Sequence, residues 1–166
     1  MSGDKKYWYV VYTKPRWEKK VYSLLEEEGI EAYCPLNKVH KQWSDRMKWV
    51  EEPLFKSYVF VRLAEEEMSQ VRMVSGVINY VYWLGRPAVV KQMEIETIQR
   101  FLSSHREVWA EPMDIRENAR VRIRRGALMD KEAKVVEVLN NKVRVVIESI
   151  GYCLLAVVEK RNLVVK

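Results

Sequence analysis

The sequence is poor in the residues from which catalytic and metal sites are built. It has two histidines, His40 and His105, and two cysteines, Cys34 and Cys153, without metal-ligand spacing around them. It also lacks a glycine-rich phosphate loop and a G-x-S-x-G nucleophile motif. We therefore expect a protein that is not an enzyme, with no catalytic residue, no bound metal and no cofactor.

Long apolar runs are missing as well. No run approaches the roughly 20 residues that a membrane-spanning helix needs, and residues 1–6 do not resemble the start of a signal peptide. The sequence therefore predicts a cytoplasmic protein without a membrane partner. Its net charge of +6 agrees with contact to an anionic polymer, although many basic proteins bind none.

Residues 58–63 form a strong strand pattern with apolar side chains on both faces. Tyr58, Phe60 and Arg62 lie on one face, and Val59, Val61 and Leu63 lie on the other. Pro53 suits the entrance to such a strand, because it cannot donate a hydrogen bond within a sheet. Either the strand lies between two layers of one domain, or one of its faces is a docking surface.

The first hundred residues alternate strand and helix patterns. Strands are predicted over 7–12, 58–63, 77–83 and 88–90, and helices follow Pro15, Glu65 and Glu94. Gly29 and Gly76 are placed to end two of these helices. Residues 32–49 predict a protruding hairpin, whose basic side chains either contact nucleic acid or are simply solvated. An α+β domain with an antiparallel sheet flanked by helices follows for residues 1–102.

The remainder of the chain has a different character. Residues 103–117 carry many charges and no sustained periodicity, which predicts a linker. Residues 118–166 contain five short β-rich runs, and Asn140-Asn141 turns the chain between two of them. This pattern predicts a small all-β barrel over residues 118–166.

Two groups of basic residues are candidates for binding nucleic acid. Lys14, Arg16, Lys19 and Lys20 gather where the first strand meets the first helix, whose N-terminus adds backbone donors. The alternative is an ordinary basic helix start. A second group lies in the barrel, at Arg120, Arg122, Arg124 and Arg125, and it is either a binding site or the solvent side of an edge strand.

Aromatic residues recur near strand ends. They are Tyr12, Tyr58, Phe60, Tyr80 and Trp83. If these rings share one face of the sheet, they form a patch of the kind that marks a protein docking site. The alternative is that a helix of the same domain covers all of them.

Several of these motifs together resemble a known family. They are Trp8–Tyr12, Lys14 and Glu18, the pattern from Glu52-Pro53-Leu54-Phe55 through Tyr58–Val61, Gly76-Val77, and Arg86-Pro87. In this order and spacing they resemble the N-terminal domain of NusG-type transcription elongation factors, and most closely the specialised paralogues RfaH and the UpxY group. The barrel resembles the KOW domain that follows in the same family.

The resemblance implies a function in transcription. The N-terminal domain of the family binds the β′ clamp helices of RNA polymerase and suppresses pausing or premature termination, in the specialised paralogues at selected operons. The implied polymerase-binding residues are Tyr12, Phe55, Tyr58, Phe60, Tyr80, Trp83, Ile95 and Ile98. The implied contacts to non-template or upstream DNA are Lys14, Arg16, Lys20, Arg72 and Ser75.

The resemblance also sets expectations for the C-terminal domain. RfaH can fold this domain as a helical hairpin, but the β-branched residues between Lys134 and Val165 predict a constitutive barrel here. We expect a monomer, whose barrel recruits Rho, a ribosomal protein or some other partner. Lys56-Ser57 stand where the family usually has Pro-Gly or Pro-Asn, so a different local turn is expected. The alternative function is a ribosome- or RNA-binding protein that uses the barrel.

Overall fold

The computed structural model describes residues 5–43, 46–105, 107–113, 135–139 and 142–157. The chain divides into two compact units. The first comprises Met1–Leu36 and Pro53–Ile95, and the second comprises Asn37–Glu52 and Glu96–Lys166. The predicted division into residues 1–102, 103–117 and 118–166 stays a prediction.

The elements of the first hundred residues follow the predicted alternation of strand and helix. In chain order they are β1 (Tyr7–Thr13), α1 (Glu18–Glu27), β2 (Glu31–Tyr33), β3 (Leu36–Trp43), β4 (Arg46–Pro53), β5 (Tyr58–Leu63), a 3-10 turn (Glu65–Glu67), α2 (Met68–Arg72), β6 (Val77–Tyr80), β7 (Tyr82–Trp83), β8 (Arg86–Pro87), β9 (Val89–Val90) and α3 (Gln92–Ser104). The later elements are β10 (Val108–Pro112), β11 (Val135–Leu139), β12 (Lys142–Ile147), a 3-10 turn (Glu148–Ile150) and β13 (Tyr152–Val157).

Five strands of the first unit form one antiparallel sheet. Its order is β2-β5-β1-β6, and β9 also pairs with β1. The pairing of β1 with β5 sets Val10 opposite Phe60 and Val11 opposite Val59. Because opposite residues point to the same side, β1 and β5 together give the sheet two distinct apolar faces. The predicted α+β class with an antiparallel sheet is confirmed.

One face of this sheet, here called the helix face, carries a hydrophobic core cluster. Tyr9, Val11, Val59 and Val61 cluster there with Val21 and Leu25 of α1 and with Val71 of α2. Val21 and Leu25 lie one helical turn apart, so α1 presents a continuous apolar stripe to the sheet. The apolar periodicity predicted for this helix is confirmed.

Helix α1 begins later than Pro15. It starts at Glu18, because Arg16 adopts a positive φ of 69° that interrupts the helical path. It ends at the predicted glycine: Gly29 has a φ of 79°, and the Ile30 amide donates to the Leu25 carbonyl at 2.9 Å. This geometry is that of a left-handed glycine cap.

Helix α3 begins with a reciprocal cap. The Lys91 amide donates to the Glu94 carboxylate at 2.9 Å, and the Glu94 amide donates to the Lys91 carbonyl at 2.9 Å. Ile95, Ile98 and Phe101 are buried, as their spacing predicts. The helix runs from Gln92 to Ser104 and is longer than the predicted span of 94–102.

The predicted hairpin is formed by β3 and β4, which pair as a two-stranded sheet. Within the unit that contains the hairpin, the Asn37 side chain donates to the Val108 carbonyl, and Lys41 forms an ion pair with Glu52. The rings of His40 and Trp49 stack at 4.6 Å between centroids.

The second unit also contains a four-stranded antiparallel sheet of order β10-β13-β12-β11. Its buried residues include Val146, Cys153 and Leu154. The β structure predicted for the C-terminal domain is confirmed in the described residues, whereas the predicted strands near 120–124 and 162–165 lie outside them. None of the helices within the described ranges has the length and apolar character to cross a bilayer.

Strand β10 corrects the expectation of an irregular linker, since it lies within residues 103–117. Val108 pairs with Ala156, and Pro112 pairs with Tyr152. The strand has five residues and ends in proline, so its sequence has too little periodicity to predict a strand. Its partner β13 lies more than forty residues later in the chain, and only that pairing makes it a strand.

Candidate docking and nucleic-acid surfaces

The face of the first sheet opposite α1 and α2, here called the aromatic face, is lined by rings. Tyr12 pairs with Tyr58 across β1 and β5, and their rings meet edge to face at 5.2 Å. Phe55 stacks on Tyr58 at 6.4 Å and meets Phe60 edge to face at 5.6 Å. Tyr33 adds a fifth ring, 6.2 Å from Phe60. These geometries are the favourable ones for aromatic pairs, so the rings brace one another.

The rings of the aromatic face differ in their exposure. Tyr12 is 40% exposed, whereas Tyr58 is 8% and Phe55 2% exposed, and Phe60 is fully buried. A partner that approaches this face therefore meets Tyr12 directly, and the other rings support it from below.

Tyr80 does not belong to this group. It pairs with Val11 and lies on the helix face, where its hydroxyl donates to the Met68 carbonyl at 2.8 Å. Its ring meets Tyr9 edge to face at 6.0 Å. Burial raises the pKa of the Tyr80 phenol, and the charge of nearby Arg72 opposes that shift. The five predicted rings therefore do not all share one face of the sheet.

The other three predicted docking residues lie in later elements. Trp83 is half-buried in β7, and Ile95 and Ile98 are buried in α3. Ile98 belongs to the second unit. The structure thus brings together Tyr12, Phe55, Tyr58 and Phe60 out of the predicted set.

The turn that leads into β5 is held by a residue that sequence reasoning did not assign to the site. The Ser57 amide donates to the carboxylate of Glu18 at 2.7 Å, and the Thr13 amide donates to the Ser57 carbonyl at 2.8 Å. Ser57 has a left-handed φ of 65°, a conformation that glycine or asparagine adopts more easily. Glu18 is only 5% exposed. A glutamate at the start of a helix carries no sequence signal for such a contact 39 residues away.

The basic cluster at the end of β1 is organised by Trp17. The ammonium groups of Lys20 and Lys14 lie 4.5 and 5.2 Å from the indole ring. Arg16 is exposed beside them. The Lys14 amide donates to the Gly76 carbonyl at 2.9 Å, which ties this cluster to the segment after α2.

The two remaining residues predicted to contact DNA lie near that segment. Ser75 is exposed and immediately precedes Gly76. Arg72 is exposed at the end of α2, with its guanidinium 5.0 Å from the ring of Tyr80. The structure thus brings Lys14, Lys20 and Ser75 to one end of the sheet. The second predicted basic group, at 120–125, lies outside the described residues.

A search for metal sites among the described residues finds no group of three or more His, Cys, Asp or Glu side chains that could hold an ion. Cys34 follows Tyr33 in the chain, and the charges of Glu18 and Lys19 at the start of α1 act on its thiol. Burial, with a smaller effect from the charge of Glu18, raises the pKa of the Cys34 thiol to about 11. Burial likewise raises the pKa of the Tyr33 phenol to about 12.

Comparison with known proteins gives two family matches in chain order. The family described as transcription termination factor nusG matches residues 6–99, which is more than half of the chain. The KOW motif matches residues 117–148.

Individual proteins resemble the chain over most of its length. A transcription termination/antitermination protein NusG of Streptococcus pyogenes serotype M3 is 29% identical over 167 residues, covering 92% of each chain. The protein of that name from Lactococcus lactis is 27% identical over 156 residues, covering 87% of this chain and 84% of its own. A solved structure titled "Domain interaction in Thermotoga maritima NusG" is 20% identical, with a TM-score of 0.46, and the match covers 93% of this chain and 98% of the other.

Proposed function

The chain belongs to the NusG family of transcription factors, and we propose that it is an elongation factor that docks on RNA polymerase through the aromatic face. Proteins of this family act with RNA polymerase and are not enzymes. The proposed docking partner is the pair of β′ clamp helices, and the proposed effect is suppression of pausing or premature termination.

A single observation carries the docking proposal, namely the exposure of Tyr12 above a braced cluster of rings. Tyr12 is 40% exposed, and Tyr58 packs beneath it at 5.2 Å. Rigid aromatic side chains supply binding energy at low entropic cost, and such anchors dominate protein interfaces. We assign the surface to Tyr12, Tyr58, Phe55 and Phe60, and we leave Tyr80 to the core.

DNA is the second proposed partner. Lys14, Arg16 and Lys20 are exposed at one end of the sheet. The backbone hydrogen bond from the Lys14 amide to the Gly76 carbonyl brings Ser75 close to them. Such a cluster suits the backbone of non-template or upstream DNA, since phosphate contacts require positive charge and not base recognition.

The scope of action and the role of the KOW domain complete the proposal. We propose that the protein acts at selected operons, as the UpxY-type paralogues do, on the basis of the motif spacing between Trp8 and Pro87. We also propose that it works as a monomer and that the KOW domain recruits Rho or a ribosomal protein.

The docking proposal is tested by binding of the full chain to core RNA polymerase. We expect Tyr12→Ala to weaken binding by about tenfold, because it removes an exposed aromatic anchor. The matched control is Tyr7→Ala, which removes a tyrosine of similar exposure, 46%, from the same strand on the helix face. That variant should bind within about twofold of the wild type.

Thermal unfolding of both variants checks that the domain stays folded. Equal weakening by the two substitutions would contradict the proposed surface. If polymerase does not bind the wild-type chain at all, the elongation-factor proposal fails, and ribosomes and RNA become the partners to test.

A further inference from the structure

Trp17 lies between two lysines of the basic cluster. We propose that it is a positioning residue, which holds the ammonium groups of Lys14 and Lys20 together as a binding site for the phosphodiester backbone of a nucleic-acid strand. Their distances from the indole ring are 5.2 and 4.5 Å. This inference rests on the proposed function. It assigns separate roles to Trp17 and to the two lysines in the proposed DNA contact.

An aromatic partner leaves a lysine available for an anion, which an acidic partner does not. The negative face of the ring attracts the ammonium without cancelling its charge and without occupying its N–H donors. In the described part of the chain, neither Lys14 nor Lys20 forms an ion pair. Glu18 is the one acidic residue between them in sequence, and its carboxylate is buried and accepts the Ser57 amide. The positive charge of the pair is therefore restrained in place and not neutralised.

The indole ring itself is held by the backbone beneath it. Gly76 has a φ of 90°, and a Cβ atom at this position would lie 2.5 Å from Cε3 of Trp17 and 2.8 Å from Cγ2 of Val21. The Trp17 amide donates to the Lys14 carbonyl at 3.0 Å, and the Lys14 amide donates to the Gly76 carbonyl at 2.9 Å. The ring and the backbone of one of its two lysines are thus fixed to the same glycine.

The spacing of the Lys14 and Lys20 ammonium groups suits a strand with several phosphate groups. Each ammonium lies within about 5 Å of the same ring, so the two lie within about 10 Å of each other. In duplex DNA each strand carries a charge about every 3.4 Å of helix axis, so one strand reaches both lysines with different phosphates.

The test measures binding of the full chain to a fluorescein-labelled oligo(dT) strand over a series of salt concentrations. We expect Trp17→Leu to weaken binding by about fivefold, because both ammonium groups lose their restraint. Trp17→Phe, which keeps a ring, should recover most of the affinity. The double variant Lys14→Gln/Lys20→Gln removes two phosphate contacts. It should therefore make the negative slope of log K against log salt shallower by about 1.4, or 0.7 per contact.

The decisive comparison repeats Trp17→Leu in the chain that lacks both lysines. A positioning residue has no further effect there, because the groups it positions are gone. A further loss of the same size would mean that the ring contacts the strand directly, and the proposal would be overturned. An unchanged affinity of Trp17→Leu in the wild-type background would overturn it as well.

Parallel measurements separate this inference from the docking proposal. Trp17→Leu should bind core RNA polymerase, in the absence of nucleic acid, as the wild type does, and its melting temperature shows whether it is folded at the temperature of the assay. Loss of polymerase binding by Tyr12→Ala and loss of oligo(dT) binding by Trp17→Leu are then independent results. An oligo(U) strand of equal length shows whether DNA or RNA supplies the preferred backbone.

Discussion

The two faces of the five-stranded sheet are built from the same strands and are filled differently. The helix face carries branched aliphatic side chains such as Val11, Val59 and Val61, which pack against Val21 and Leu25. The aromatic face carries rings that contact one another, two pairs edge to face, one pair stacked and one pair tilted. Aliphatic side chains interlock with helices of the same domain, whereas braced rings with one exposed member are suited to a partner.

Apolar bulk on both faces of a strand does not by itself identify a docking surface. Tyr7 and Tyr12 belong to the same strand and have similar exposure, 46% and 40%, but they point to opposite faces. Among the described ring contacts, Tyr12, in contrast to Tyr7, lies against a ring of the predicted docking set, Tyr58. The environment of these two tyrosines, and not their residue type, therefore distinguishes them.

The largest expected loss of stability comes from a cavity in the core of the helix face. Leu25 is fully buried in α1, and we expect Leu25→Ala to lower the free energy of unfolding by about 2–5 kcal/mol, because it leaves a cavity. Urea denaturation measures the change. Leu24→Ala is the matched control, since Leu24 is half-buried on the same helix and should cost less.

The folded fraction of Leu25→Ala should still bind RNA polymerase normally. A selective loss of polymerase binding, measured where the variant is folded, would mean that the two faces are not functionally distinct.

A smaller effect is expected from Glu18, which connects the helix side of the sheet to the turn before Tyr58. Glu18→Ala leaves the half-buried Ser57 amide without its acceptor, and we expect a loss of about 1–3 kcal/mol in the free energy of unfolding. Glu18→Gln keeps an acceptor of similar size and should lose less. Chemical denaturation measures both, and equal losses would show that the hydrogen bond does not hold the turn.

The pKa of Cys34 measures how far water is excluded from its thiol near the start of α1. Burial raises the pKa of its thiol from 9.0 to about 11, so the folded state favours the neutral form. The stability that this contributes is fully present below pH 9 and is lost as the pH rises towards 11. NMR of 13C-labelled cysteine, assigned with Cys34→Ser, should show titration near pH 11, and titration near 9 would contradict burial of the thiol.

Much of the fold was predictable from local patterns. The apolar stripe of α1, the glycine at its end and the alternation in β5 are signals that a few neighbouring residues carry, and the structure confirms them. Strand β10 and the start of α1 were not predicted. The first depends on pairing with a distant strand, and the second depends on the positive φ of Arg16.

The candidate sites divide in the same way. Sequence alone determined that aromatic and basic residues gather near the ends of β1 and β5, because motif spacing and residue type are local properties. Only the tertiary structure decided that Tyr80 lies on the helix face, since this follows from its pairing opposite Val11. It alone placed Glu18 under Ser57 and Trp17 against Gly76. These contacts join residues that lie far apart in the chain, and no local pattern encodes which of them will meet.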